Sequence, residues 1–203
     1  MRTYFREYFL NNFNEYIKLL IILVIAVVVA ILAINNTNDS DLLKVKEYID
    51  SRIEIVKNGE RVDRKGLLLS SLKRNFKEYI IITFLAASVI GLPVAYIIIV
   101  KKAFSIGYTI SAVFATQSTK TSIIFICNSI LFHNIIYMIS LAIVLIAGIN
   151  FVKSLIRKDK FSIKFEILRY CVFVLIGILI VIISSLFETF ISTSLLYLLK
   201  KYI

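Results

Sequence analysis

A chain of 203 residues that is 59% apolar and only 18% charged, with a mean hydropathy of +0.87, departs from soluble domains, which carry ~45–50% apolar and ~25% charged residues. The formal charge of +11 comes from 24 Lys and Arg residues distributed between the apolar runs, where they set orientation and meet anionic head groups and do not form a nucleic-acid surface. This composition excludes an ordinary soluble domain. It points to one integral membrane domain over 1–203, an all-α polytopic helix bundle of about five spans.

Residues 1–18 mix Tyr4, Phe5, Tyr8, Phe9, Phe13 and Tyr16 with Arg2, Arg6 and Lys18, a composition that suits either a membrane interface or a tail. The run 19–34 holds 16 apolar residues without interruption. It exceeds the h-region of a signal peptide, ~7–15 residues, and no small-residue cleavage site follows, so it reads as an uncleaved first span. Residues 35–78 are an amphipathic, helical insert with ten Lys/Arg and eight Asp/Glu. Asp39 or Ser40 caps a helix in which Leu42, Val45, Ile49 and Ile53 recur at helical spacing. Asn58-Gly59 marks a turn, and a second helix begins near Gly66. The apolar face of this insert either rests on its own bundle or docks another protein.

The run 79–100 is uncharged for 22 residues, roughly 33 Å as a helix and enough to cross a hydrocarbon core of about 30 Å. Its only proline, Pro93, is expected to bend it by removing the bond to the Val89 carbonyl. Lys101-Lys102 reads as a turn into a short third span, 103–116. Residues 121–152 are then uncharged for 32 residues, about 48 Å and too long for one upright crossing. His133-Asn134 divides them into a half-helix or re-entrant element, 121–132, and a true span, 134–152. The basic loop 153–169 leads to the last span, 170–187, which Glu188 ends. Leu195, Leu196 and Leu199 suit a short interfacial helix beyond it. The basic residues at 101–102 and 153–169 place those loops, and the N-terminus, in the cytoplasm and the 35–78 insert outside.

Two stripes of small residues recur every fourth position. One comprises Thr83, Ala87, Gly91 and Ala95, the other Ala103, Gly107, Ser111 and Ala115. In lipid, helices associate through close backbone approach, so the stripes predict a tightly packed antiparallel hairpin with Gly91 near Gly107. His133, Asn134 and Asn128 are the polar groups at membrane depth. They either satisfy backbone freed at a helix break or form a functional site. Glu188 reads as interfacial, or as part of a docking surface with Leu42, Val45, Ile49 and Ile53. Cys127 and Cys171 lie in apolar runs and read as small hydrophobes.

The chain has one histidine, so H-E-x-x-H is missing, as are G-x-S-x-G, the P-loop and the dinucleotide fingerprint. No enzymatic activity, cofactor or metal is expected. Transport by a permease-like subunit, with the broken helix lining a path, is the alternative to a structural role.

The segment 73–107 resembles the signature region of the stage II sporulation protein M family of endospore-forming bacteria. The likeness rests on Asn75-Phe76-Lys77, Ile90-Gly91-Leu92-Pro93, Lys101-Lys102 and Gly107-Tyr108-Thr109, in that order. Ile130-Leu131-Phe132-His133-Asn134-Ile135 is similar to a later motif that usually carries proline where this chain has Phe132. Phe187-Glu188-Thr189-Phe190-Ile191-Ser192 is similar to the family's ending. The resemblance implies a non-enzymatic membrane scaffold at the sporulation septum, which would recruit the peptidoglycan-cleaving stage II sporulation proteins D and P during engulfment. Its other partner is the lipid bilayer; homo-oligomerisation is left open.

Overall fold

The computed structural model describes residues 2–57, 63–157 and 160–192, and every regular element among them is helical. The Asn58-Gly59 turn and the tail bearing Leu195, Leu196 and Leu199 lie outside the described residues. In chain order the helices are α1 (Arg2–Asn11), α2 (Phe13–Ala33), α3 (Asp39–Lys57), α4 (Arg64–Ala86), α5 (Gly91–Thr116), α6 (Thr119–Phe125), α7 (Phe132–Arg157) and α8 (Lys160–Leu186). Six-residue π-helical segments, Ile126–Leu131 and Phe187–Ser192, precede α7 and follow α8. Among the described residues, four stretches are long and apolar enough to cross a membrane: Phe13–Asn36, Gly91–Thr116, Phe132–Arg157 and Ile163–Phe190. The chain is a polytopic helical membrane bundle.

The helix boundaries correct two expectations. The run 79–100 is not one rod, because α4 ends at Ala86 and α5 begins at Gly91. Lys101-Lys102 is not a turn, because α5 passes straight through it. The physical reasons are local. In a continuous helix the Pro93 ring would strike the Val89 carbonyl; in the first turn of a new helix its missing N–H costs nothing and its φ is already helical. Ser88 completes the start of α5 by accepting a hydrogen bond from the Gly91 N–H at 2.8 Å. Gly91 is required there by crowding: a Cβ would come 2.5 Å from the Leu85 carbonyl oxygen. Lysine is a good helix former, so the dilysine gives α5 no reason to stop. Pro93→Ala should therefore change thermal stability by less than about 1 kcal/mol, whereas a kink-forming proline inside a span would give a larger effect. Thermal unfolding in detergent checks this.

The helices run alternately between two ends of the bundle. At one end, here the α1 end, Lys153 of α7 pairs with Glu15 of α2 at 3.1 Å. At the other, the α3 end, Thr37 and Tyr108 hydroxyls meet at 3.1 Å, and Ser184 of α8 donates to the His133 carbonyl at 2.7 Å. Thus α2, α5 and α8 ascend to the α3 end while α4 and α7 descend from it. Helix α7 is central, with Leu141, Val144, Leu145 and Ile146 fully buried. Helix α4 joins the bundle as a fifth member through a buried stripe, Ser71, Asn75, Tyr79, Ile82 and Ala86. Its uncharged part is only the stretch after Glu78, so it is not among the four apolar stretches, although it too runs between the two ends of the bundle.

The small-residue stripes do not pair with each other. Ala95, Ala103, Gly107 and Ser111 lie with Ile99 on one buried face of α5, and that face meets α2. A Cβ on Gly107 would lie 3.0 Å from Val27 Cα and 3.1 Å from Ala30 Cβ. Ala26 and Ala30 are the buried small residues α2 offers in return. Gly91 and Gly107 occupy one helix, so the predicted contact between them is replaced by a parallel α2–α5 interface. Thr83 and Ala87 stay half-buried at the foot of α4, and Ala115 is exposed.

Candidate functional site

Helix α4 carries Ser71, Arg74, Asn75 and Glu78 at spacings of three and four, so all four project from one side of it. This polar stripe enters the bundle at its α3 end and meets α5, α7 and α8. Ser71 Oγ donates to Glu188 Oε2 at 2.5 Å, and Arg74 donates to Glu188 Oε1 at 2.8 Å. The Asn75 amide donates to Ser71 Oγ at 3.3 Å and to Ser185 Oγ at 3.2 Å. One turn further, Lys102 Nζ reaches Glu78 Oε2 at 2.8 Å. The Tyr137 hydroxyl lies 3.2 Å from both that oxygen and the Asn75 carbonyl. The Lys102 ammonium also stands 5.1 Å from the Tyr137 ring centroid, over an electron-rich face.

Charges at this depth are costly unless paired, and here each is paired. Lys102 and Glu78 keep 23% and 25% side-chain exposure, and Glu188 keeps 16%. Arg74 is 61% exposed and reaches in from the rim. Around these groups lies a chamber of about 430 Å³ whose polar lining includes Arg74, Lys102, Ser105, Thr109, His133 and Asn134, with Glu188 across from them. Among the described residues no group of three or more His, Cys, Asp or Glu side chains is placed to hold a metal ion.

Both π-helical segments border this chamber: Ile130 precedes His133 in its lining, and Glu188 lies inside the other segment. The π-helix is rare and concentrates at functional sites, because an extra residue per turn re-aims the side chains around it. His133-Asn134 does not break the helix, contrary to expectation. The chain passes from α6 through the widened turn into α7, and the Asn134 amide donates to the Ile130 carbonyl at 2.8 Å. A chain with neither proline nor glycine between 119 and 147 absorbs its surplus length by widening instead of unwinding. The backbone over 121–132 is therefore helical and no open re-entrant loop.

Residues 19–193 match the family model described as Stage II sporulation protein M. The chain belongs to the stage II sporulation protein M family. No curated protein and no solved structure matches the chain. The family match makes it a sporulation-related membrane protein. The chamber, the α2–α5 interface and α3 all lie within the matched region.

Within this family member the predicted docking residues divide. Leu42 and Val45 are half-buried, and Val45 packs against the buried cluster of Val113, Phe125, Ile126 and Ile130. It therefore faces its own bundle, since α3 leans on α5. Glu188 turns inward to Ser71 and Arg74 and lines the chamber. The side chains of Ile49, Ile53 and Asn128 lie outside the described residues. Arg74, Glu78, Lys102 and Tyr137 are the residues that sequence reasoning missed. The available signal was the Ser71, Arg74, Asn75, Glu78 periodicity, a polar stripe running into an apolar helix.

Proposed function

We propose that this family member is a membrane scaffold that recruits and anchors peptidoglycan-degrading partners, stage II sporulation proteins D and P, at the septum during engulfment. It carries no hydrolytic chemistry of its own. The N-terminus and the α1 end face the cytoplasm. That orientation is supported by Lys153, Arg157, Lys164 and Arg169, which lie at the α1 end together with Arg6; the dilysine, being mid-helix, no longer bears on it. The α3 end then faces the space where the wall is cleaved.

The observation that carries this reading is the setting of α3. It continues beyond the apolar part of α2 and is held to α5 by Val45 and by Gln117, whose amide donates to Asp50 at 2.8 Å. Its opposite side presents Leu43, 58% exposed, among charged neighbours Lys44, Lys46 and Glu47. A helix anchored on one face and free on the other is a docking element with its orientation already fixed. Charge reversal at Lys44 and Lys46 combined with Leu43→Glu should abolish co-purification with either hydrolase while the protein still inserts. Unchanged co-purification would overturn the reading.

Transport is the second reading, and the polar chamber is what supports it. Beneath the chamber, however, Tyr137, Leu141 and Val144 are packed with at most 1% exposure, so the polar space does not continue through the bundle. His133→Ala with Asn134→Ala should leave solute flux unchanged; a flux defect would favour the transport reading.

A further inference from the structure

The polar chamber has an apolar neighbour. Between α2, α5 and α7 runs a groove of about 400 Å³ lined by residues such as Val24, Val28, Leu131, Met138 and Ala142. Ile106 and Asn134 belong to the linings of both spaces, so the two adjoin. From Leu131 to Ala142 the groove follows α7 for 11 residues, about 16 Å at 1.5 Å per residue. Half of a 30 Å hydrocarbon core is about 15 Å. The groove therefore begins beside a charged chamber near one membrane surface and descends for the depth of one leaflet.

We propose that these two spaces together bind a single phospholipid with a zwitterionic, primary-ammonium headgroup, of the phosphatidylethanolamine type. Its headgroup occupies the chamber and one acyl chain lies in the groove. The charge pattern decides the headgroup class. Arg74 and Lys102 each use one donor on a carboxylate, and both have further N–H groups for a phosphate diester. Ser105 adds a hydroxyl on the same wall, while Thr109 beside it donates its own to the Ser105 carbonyl at 2.8 Å. Glu188 keeps lone pairs free after its bonds to Ser71 and Arg74, enough to accept from an ammonium. A purely anionic headgroup would satisfy the cations and confront Glu188 with a like charge. A zwitterion meets each sign with its opposite. The inference is independent of the recruiting role, since it concerns what holds the α3 end together within the leaflet.

The test uses the full-length chain extracted in mild detergent, exchanged into nanodiscs of phosphatidylethanolamine, phosphatidylglycerol or phosphatidylcholine, and analysed by native mass spectrometry for retained lipid. One phosphatidylethanolamine per chain should survive, about tenfold over the other two, the discrimination expected from one charge-assisted hydrogen bond. Ile139→Trp, a substitution at a lipid-exposed position that fills the groove, should abolish retention without lowering thermal stability. Glu188→Gln should keep a lipid but bring the preference near unity. Equal retention of all three lipids by the unsubstituted chain would overturn the proposal, as would preferential phosphatidylglycerol. Retention undiminished by Ile139→Trp would mean ordinary annular lipid, and equal binding of soluble phosphoethanolamine would leave the groove without a role; either result also overturns it. If Glu188→Gln fails to fold, the three-lipid comparison and Ile139→Trp still decide.

Discussion

Replacing Gly107 by leucine is expected to lower the stability of the bundle by about 3 kcal/mol, the upper part of the usual overpacking range. The cause is contact distance. Even a bare Cβ at this position would sit 3.0 Å from the Val27 backbone, so three further carbons have nowhere to go unless α2 and α5 separate. Separation forfeits the dispersion contacts along Ala26, Ala30, Ala103 and Ser111, and in lipid no hydrophobic effect compensates, because apolar side chains are as well solvated apart as together. Gly107→Ala should be milder, about 1 kcal/mol, since a shift of a few tenths of an ångström accommodates it. Thermal unfolding of detergent-purified protein measures both. Equal stability of the leucine variant and the parent would show that α2 does not pack on this face.

Glu78→Ala should cost about 2–3 kcal/mol, somewhat less than breaking a fully buried pair because a quarter of each partner remains exposed. The loss comes mostly from what it leaves behind, an ammonium held in the outer part of a helix bundle with only the Tyr137 ring for company. Lys102→Met removes that charge, so Glu78→Ala combined with Lys102→Met should recover most of the stability lost by Glu78→Ala alone. A double-mutant cycle that instead gave simple additivity would mean the two groups do not interact across the α4–α5 contact.

The helices themselves were legible because a bilayer leaves little choice: uncharged runs of span length must be helical. What composition could not reveal was where one helix stops and the next begins. Run 79–100 is continuously apolar, so hydropathy cannot see the turn at 87–90. The local chemistry could: Ser88 before Gly91, with Pro93 two residues later, is a helix start, while lysines are ordinary helix residues. The small-residue periodicity identified a real packing face in Ala95, Ala103, Gly107 and Ser111. It could not name the partner, because any helix with small residues serves, and α2 with Ala26 and Ala30 is as suitable as α4. The chamber was hidden for a different reason. Its hydrogen bonds and ion pairs join residues from Ser71 to Glu188, and only tertiary structure places Arg74 beside Glu188 or Lys102 beside Glu78. At His133 and Asn134 the physical outcome is a widened turn, not a break.

The central claim is that α5 is one uninterrupted rod from Gly91 to Thr116, seated in parallel on α2. In a background with Cys127 and Cys171 replaced by alanine, Ala30→Cys with Gly107→Cys should oxidise readily to a disulfide in native membranes, since the two Cβ positions lie 3.1 Å apart and need only slight relaxation to reach the usual span of about 3.5–4.5 Å. Gly91→Cys with Gly107→Cys should not cross-link within one chain, because 16 residues of one helix separate them by about 24 Å. An intramolecular 91–107 bridge, with none between 30 and 107, would contradict the account.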